Sequence, residues 1–192
     1  MTKLQVYFGA VFIVGIIVVS CSKSDTTPVA PVVLVDPYAA IKAAFGTKID
    51  PINLANYANQ GKPAYINKDN TGGNAITNAK ATLGRVLFYD TNLSIDNSNS
   101  PASCHKQQFA FSDTAIASSG VVGGSTGRHS MRLINSRFAT ETRFFWDERA
   151  ASLEQQTTQP VKDHAEMGFS GQSGRPGIAA LLVKLQGVAY CK

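Results

Sequence analysis

The sequence predicts an all-α fold with long loops. Three observations lead there. Apolar residues recur at helical spacing in three segments, and a capping signal marks a further helix. No stretch alternates apolar and polar residues between turn dipeptides, as half-buried strands would. No unit of 20–50 residues repeats, which sets aside solenoids and propellers.

Taken in order, residues 1–20 read as a targeting segment. Lys3 gives a short positive region, Val6 to Val19 is almost wholly apolar, and Ser20-Cys21 follows. The apolar run is shorter than the ~20 residues a spanning helix needs, and its flanks fit a signal peptide. Val18-Val19-Ser20-Cys21 resembles a bacterial lipobox, which implies cleavage before Cys21 and lipid on its thiol. An ordinary signal peptide with a chance cysteine is the alternative. Residues 21–36 are rich in Ser, Thr, Pro and Val without helical period, and read as a tether. Pro28 and Pro31 disfavour a docked strand there.

Residues 37–192 form the expected folded domain. Asp36 caps its first helix, Pro37 opens it, Tyr38, Ile41 and Phe45 share a face, and Gly46 stops it. A second helix starts at Thr77, with Ala79, Leu83, Val86 and Leu87 on one side. A third starts near Ser152, where Gln155 completes a capping box, and Pro160 ends it. In the fourth, Ile178, Leu181, Leu182 and Leu185 follow i, i+3, i+4, i+7 spacing, with Pro176 in the first turn. Asn92–Ala102 and Ser112–Arg128 are long polar loops, of a length usually tied to function in a compact domain. So much loop leaves little side-chain core, a deficit that a large flat cofactor would fill.

Composition excludes other classes. The 192 residues are 44% hydrophobic and 16% charged, with ten Phe, six Tyr and one Trp, so the chain is not disordered. The basic residues behind the net charge of +5 are scattered, and no nucleic-acid partner is expected. Three cysteines cannot build a dense disulfide framework or a four-thiolate zinc site.

The chemistry centres on Pro101-Ala102-Ser103-Cys104-His105. In a Cys-x-x-Cys-His run each thiol adds to a haem vinyl group and the histidine ligates iron. Here Pro101 occupies the first cysteine position, and a Cys-His pair alone is a weak signal. Its neighbours add weight. Leu83-Gly84-Arg85-Val86-Leu87-Phe88-Tyr89-Asp90 and Leu93-Ser94 precede it. Phe109-Ala110-Phe111-Ser112-Asp113, Thr126-Gly127-Arg128 and Phe144-Phe145-Trp146-Asp147-Glu148-Arg149-Ala150 come after it. Ser152-Leu153-Glu154-Gln155-Gln156, Pro160 and Glu166-Met167-Gly168 complete the series. In this order and spacing, residues 78–190 resemble the N-terminal half of the bacterial di-haem cytochrome c peroxidase family, which includes the MauG-like proteins.

The resemblance implies a cytochrome c-like helical haem domain, truncated before a second haem domain that the chain lacks. His105 is then the proximal iron ligand and Cys104 the anchor of haem c through a single thioether. The alternatives for Cys104 are a free thiol or a disulfide to Cys191. Trp146 corresponds to the family's inter-haem tryptophan, or else is a core residue. Glu166 and Gln156 match the distal-pocket residues, with Glu166 as acid–base group for bound peroxide. The bland readings are a solvated carboxylate and a polar helix residue. His129 is a candidate sixth ligand. It stands where the family often has an asparagine that helps bind calcium, so a calcium site is doubtful. Met131 is a weaker ligand candidate, His164 is expected at the surface, and Arg143 or Arg149 could pair with a haem propionate.

The implied activity is reduction of hydrogen peroxide with electrons from a small cytochrome, in a periplasm-facing lipoprotein held to the membrane by its lipid. A mono-haem electron carrier, a haemless remnant and MauG-like oxidation of a protein substrate are the rival readings.

Overall fold

The computed structural model describes residues 36–191, with the Cys191 side chain excluded. The proposed signal peptide, the lipidation residue Cys21 and nearly all of the tether lie outside the described residues. The described part is helical. Its α-helices are α1 (Ala39–Phe45), α2 (Asn78–Tyr89), α3 (Pro101–Cys104), α4 (Leu153–Lys162) and α5 (Ile178–Gln186), joined by loops and short 3-10 turns. Among the described residues there is no strand, only isolated bridges such as Lys106–Ser112 and Phe144–Ala150. None of these helices is long and apolar enough to cross a membrane.

Local chemistry sets the helix boundaries. The Asp36 carboxylate accepts the Tyr38 amide at 2.9 Å and the Lys42 ammonium at 2.7 Å, and the regular helix begins at Ala39, slightly later than the sequence suggests. Gly46 ends it at φ +58, a conformation that glycine adopts without a Cβ penalty. Thr77 caps α2 by accepting the Lys80 amide at 3.1 Å. Ser152 caps α4 through the Gln155 amide at 3.1 Å. The Gln155 side chain reaches back to the Ala151 amide at 2.6 Å, one residue beyond the Ser152 amide of the expected capping box.

Two proline expectations are corrected. Pro160 does not end α4, which runs two residues further and closes where the Asp163 amide bonds the Pro160 carbonyl at 3.1 Å. Near a helix end the ring's clash falls on a single earlier carbonyl, and the residues after it still pair normally. Pro176 lies outside α5, because Gly177 is the cap; its carbonyl accepts the Gly171 amide at 3.1 Å instead.

The main apolar core is small. Leu93, Met167, Phe169 and Leu181 are buried together, with Leu87, Ile95, Val161 and Leu185 packed around them. Each buried side chain of this size contributes about 1.5–3 kcal/mol. The cluster joins α2, the turn after it, the end of α4 and one stripe of α5. The Ile95 amide bonds the Met167 carbonyl at 3.0 Å, and the Lys184 ammonium bonds the Ser94 carbonyl at 2.5 Å. Not every residue on the expected apolar faces is covered. Leu83 is 58% exposed and Leu182 62% exposed. Periodicity says which residues share a face, not what packs against it. The small core agrees with the deficit expected from the loop content.

Candidate functional site

Pro101 opens α3. Its missing N–H is one that a first helical residue would leave unpaired anyway, so proline suits the position. Ser100 and Ser103 cap this short helix reciprocally, with the Ser100 amide 3.1 Å from the Ser103 hydroxyl. The turn presents Cys104 and His105 in succession. Cys104 is a free thiol and half-buried; the Cys191 side chain of the disulfide alternative lies outside the described residues.

His105 is fixed by the loop that comes after it. The chain doubles back over 106–112, where the Lys106 amide donates to the Ser112 carbonyl at 2.8 Å and the Phe111 amide to the Lys106 carbonyl at 3.0 Å. Closing this loop places Ala110 at φ +58 and Phe111 at φ +56. Left-handed backbone costs a residue with a Cβ roughly 1–2 kcal/mol. The result is that the Phe111 carbonyl sits 3.0 Å from His105 Nδ1. A carbonyl only accepts, so Nδ1 carries the hydrogen and Nε2 keeps its lone pair. Nε2 has no hydrogen-bond partner among the described residues. That is the form in which a histidine binds a metal, with the second nitrogen held by a backbone carbonyl.

The 112–128 loop is long but built. Asp113 is buried and accepts from the Lys106 ammonium at 2.7 Å, the Ser118 hydroxyl at 2.7 Å and the Thr114 amide at 2.7 Å. The Lys106 bond, the largest cause, holds its carboxyl well below the usual carboxylate range. Ser118 is buried; its amide donates to the Thr126 hydroxyl at 2.9 Å, and its hydroxyl pairs with that of Ser130 at 2.9 Å.

The same loop reaches the other candidate residues. The Asn99 amide side chain bonds the Ser119 carbonyl at 3.2 Å, and the Cys104 thiol lies 4.0 Å from it. Next door, the Val121 amide bonds the Ala165 carbonyl at 2.9 Å. A Cβ on Gly120 would stand 1.9 Å from that carbonyl oxygen, so this crossing requires glycine. Asp163 Oδ1 accepts the Ala165 and Glu166 amides at 2.8 and 2.9 Å, turning the chain after α4.

Glu166 and Cys104 are thereby brought within electrostatic reach. Burial pushes the Glu166 carboxyl up, Asp163 adds to the rise, and Arg149 opposes it. Burial also pushes the Cys104 thiol up, and the Glu166 charge contributes to that. Glu166 is thus not a fully solvated carboxylate. Of the two arginines, Arg149 is the one whose charge acts on Glu166; it also pairs with Asp147 at 2.8 Å and covers the Phe145 ring at 3.6 Å. Gln156 is half-buried on α4, and none of the described residues hydrogen-bonds its side chain.

Trp146 is not a core tryptophan. It is 59% exposed, and its indole N–H donates to the His129 carbonyl at 2.9 Å. His129 keeps both ring nitrogens in hydrogen bonds, Nδ1 to the Ala115 carbonyl at 2.8 Å and Nε2 with the Ser112 hydroxyl at 3.1 Å. A sixth-ligand role for His129 would require breaking at least one of these. Met131 is half-buried, and His164 is exposed with Nδ1 2.9 Å from the Ser170 hydroxyl. Among the described residues, no group of three or more His, Cys, Asp or Glu side chains is placed to hold a bare metal ion. Sequence reasoning missed the Phe111 carbonyl, Ser112, Ser118 and Gly120. Backbone carbonyls carry no sequence signal, and a buried serine looks like any loop serine.

Comparisons with known proteins converge. The profile of the di-haem cytochrome c peroxidase family matches residues 78–187. The methylamine utilization protein MauG of Methylophilus methylotrophus is 32% identical over 113 residues, 59% of this chain and 31% of that protein. The cytochrome c peroxidase Ccp of Escherichia coli is 36% identical over 88 residues, 46% of this chain and 18% of that protein. The chain thus spans under a third of these curated relatives. Among solved structures, a MauG-like protein associated with microbial copper homeostasis superposes with a TM-score of 0.59 at 28% identity. The alignment covers 69% of this chain and 38% of that one. A variant of the dihaem peroxidase BthA from Burkholderia thailandensis shares the fold, with a TM-score of 0.52 at 24% identity over 74% of this chain and 39% of its own. The profile covers more than half of the chain and takes in the His105 turn, the Trp146 segment and the Glu166 turn, so this chain belongs to the di-haem cytochrome c peroxidase family.

Proposed function

We propose that the chain is the first haem domain of a cytochrome c peroxidase-like oxidoreductase that reduces hydrogen peroxide to water. The observation that carries this is the pairing of two features at one place. His105 is oriented through Nδ1 with Nε2 open, next to the Cys104 thiol. The Cys104 thiol lies against the Ser119 carbonyl, and Val121 of the same loop bonds Ala165, the residue before Glu166, whose carboxyl is pushed up by burial.

These residues fit a haem c. His105 Nε2 would hold the iron, and Cys104 would form one thioether, the thiol S–H adding across one vinyl group. Pro101 forgoes the second thioether without disturbing α3. The small side-chain core suits a large apolar ring. Bound haem would supply the two electrons that the reduction of peroxide consumes, and two protons taken up from solvent complete the second water. The chain supplies the protons' path: Glu166 in its ionised form takes a proton from one peroxide oxygen and returns it to the other, which leaves as water. Gln156 would orient peroxide beside it. The hydrogen bonds on both His129 ring nitrogens count against His129 as a second iron ligand.

In the complete protein, electrons would come from a small cytochrome through a second haem domain, with Trp146 on the route. Residues 1–20 would direct export, and a lipid on Cys21 would anchor the domain on the periplasmic side through the tether.

The test is peroxide turnover by haem-loaded protein with Glu166→Gln. We expect a fall of about 10²–10⁴-fold, the range of a lost general acid–base group, with an unchanged haem spectrum. Turnover equal to that of the unaltered protein would remove Glu166 from the reaction. Because burial raises the Glu166 carboxyl, the acid limb of the pH–rate profile should lie above 4.5, the ordinary glutamate value.

A further inference from the structure

His129 has no catalytic contact, yet its hydrogen bonds form one side of the support for His105. Its imidazole bridges two points of the polar loop. Nδ1 donates to the Ala115 carbonyl at 2.8 Å, and Nε2 lies 3.1 Å from the Ser112 hydroxyl. Ser112 is buried and locked on every side. Its single hydroxyl hydrogen is shared between the Ser130 carbonyl at 2.6 Å and the His129 Nε2 lone pair at 3.1 Å, its carbonyl accepts the Lys106 amide at 2.8 Å, and its amide donates to the Phe109 carbonyl at 3.2 Å. Ser112 directly follows Phe111, whose carbonyl orients His105 at 3.0 Å. The carbonyl of His129 itself is pinned by the Trp146 indole at 2.9 Å. A continuous set of bonds therefore runs from Trp146 through His129 and Ser112 to the group that fixes His105.

The Phe111 carbonyl needs such a brace. Ala110 and Phe111 both stand at positive φ, and neither is glycine, so the turn that aims the carbonyl is held against its own preference. Such strained backbone persists only where its surroundings over-determine it.

We infer that His129, acting through Ser112, is a positioning residue for His105: it holds the Phe111 carbonyl on Nδ1 and so leaves Nε2 as the open nitrogen. The consequence for iron rests on the haem reading above. The orientation of His105 can be measured with or without haem. A firm bond from Nδ1–H makes Nε2 a stronger donor and favours the ferric state. Loosening the brace should therefore raise the reduction potential.

Two variants separate the brace from a general loss of fold. In His129→Gln the side-chain amide can reach Ser112 as Nε2 does, and loses Ala115. In His129→Asn it can reach Ala115 as Nδ1 does, and loses Ser112. Nitrogen-15 histidine NMR on the full chain, at mildly alkaline pH, reads which nitrogen of His105 carries hydrogen. Free neutral imidazole in water favours Nε2–H, so Nδ1–H reports the Phe111 bond. We expect Nδ1–H in the unaltered chain and in His129→Gln, and a shift towards Nε2–H in His129→Asn and in Ser112→Ala. In haem-loaded protein the potential should rise in the latter two and stay in His129→Gln. The same His105 form in all four chains, or Nε2–H in the unaltered one, would overturn the inference. Ser112→Ala provides the second route should His129→Asn not fold. A pyridine haemochrome on the same preparations reads haem loading separately. A haemless chain would sink the haem reading, while the NMR result would still decide the role of His129.

Discussion

Two halves of this domain are held together by different physics. The frame of α2, the α4 end and α5 rests on apolar burial around Leu93, Met167, Phe169 and Leu181. The 105–130 region rests on paired donors and acceptors around Asp113, Ser112, Ser118 and His129, with several residues at positive φ. Apolar packing is non-directional and tolerates swaps of similar volume. A hydrogen-bonded loop is directional, and each missing partner leaves a buried polar group unpaired. The loop therefore suits the task of aiming single atoms, such as the Phe111 carbonyl and the Cys104 thiol. The frame suits the task of holding the Ala165 carbonyl to which the loop bonds through the Val121 amide.

This contrast can be broken from either side. The largest effect should come from the frame. Leu181→Ala removes a buried side chain and should cost about 2–5 kcal/mol of global stability, measured by denaturant unfolding. The His105 tautomer in the surviving folded fraction should not change. Gly120→Ala should cost less, about 1–3 kcal/mol as for other overpacked sites, because its Cβ would meet the Ala165 carbonyl oxygen. Its distinctive consequence is local: the Glu166 turn would be pushed from the Cys104 loop, and the mutual effect of the two groups on titration should weaken.

Thr77→Ala tests the frame at its edge. Loss of the cap on α2 should cost about 1 kcal/mol, read from the unfolding midpoint, with no change at the site. Acid should act on the loop through Asp113. Its carboxyl is held below the ordinary value of 3.8 in the folded chain, so its contribution is complete above that value. The contribution is lost as pH falls through the lower folded value. Asp113→Asn should flatten the acid side of the stability profile, whereas substitutions in the apolar frame should leave its shape unchanged.

The same contrast explains what could be read from the sequence. The four longer helices are legible because capping residues such as Thr77 and Ser152 and apolar spacing are local signals. The departures at Pro160 and Pro176 amount to one or two residues, where a terminal half-turn or a glycine cap decides the boundary. The exposure of Leu83 and Leu182 is not legible, since no local pattern states what covers a face. At the site, Cys104, His105 and Glu166 are legible as chemical types in a family-like order. The part that arranges them is not. A carbonyl at Phe111, a close approach at Gly120 and a hydroxyl at Ser112 gain their meaning only from residues that fold against them.

The proposed chemistry stands or falls with haem held by Cys104 and His105. A pyridine haemochrome spectrum reads this, run after denaturing extraction on full-length protein produced with a c-type maturation system, alongside Cys104→Ser. We expect haem that stays with the unaltered chain, with the absorption band displaced as for one reacted vinyl group, and haem that extracts freely from Cys104→Ser. A colourless chain, or haem that extracts completely from the unaltered protein, would contradict covalent attachment at Cys104.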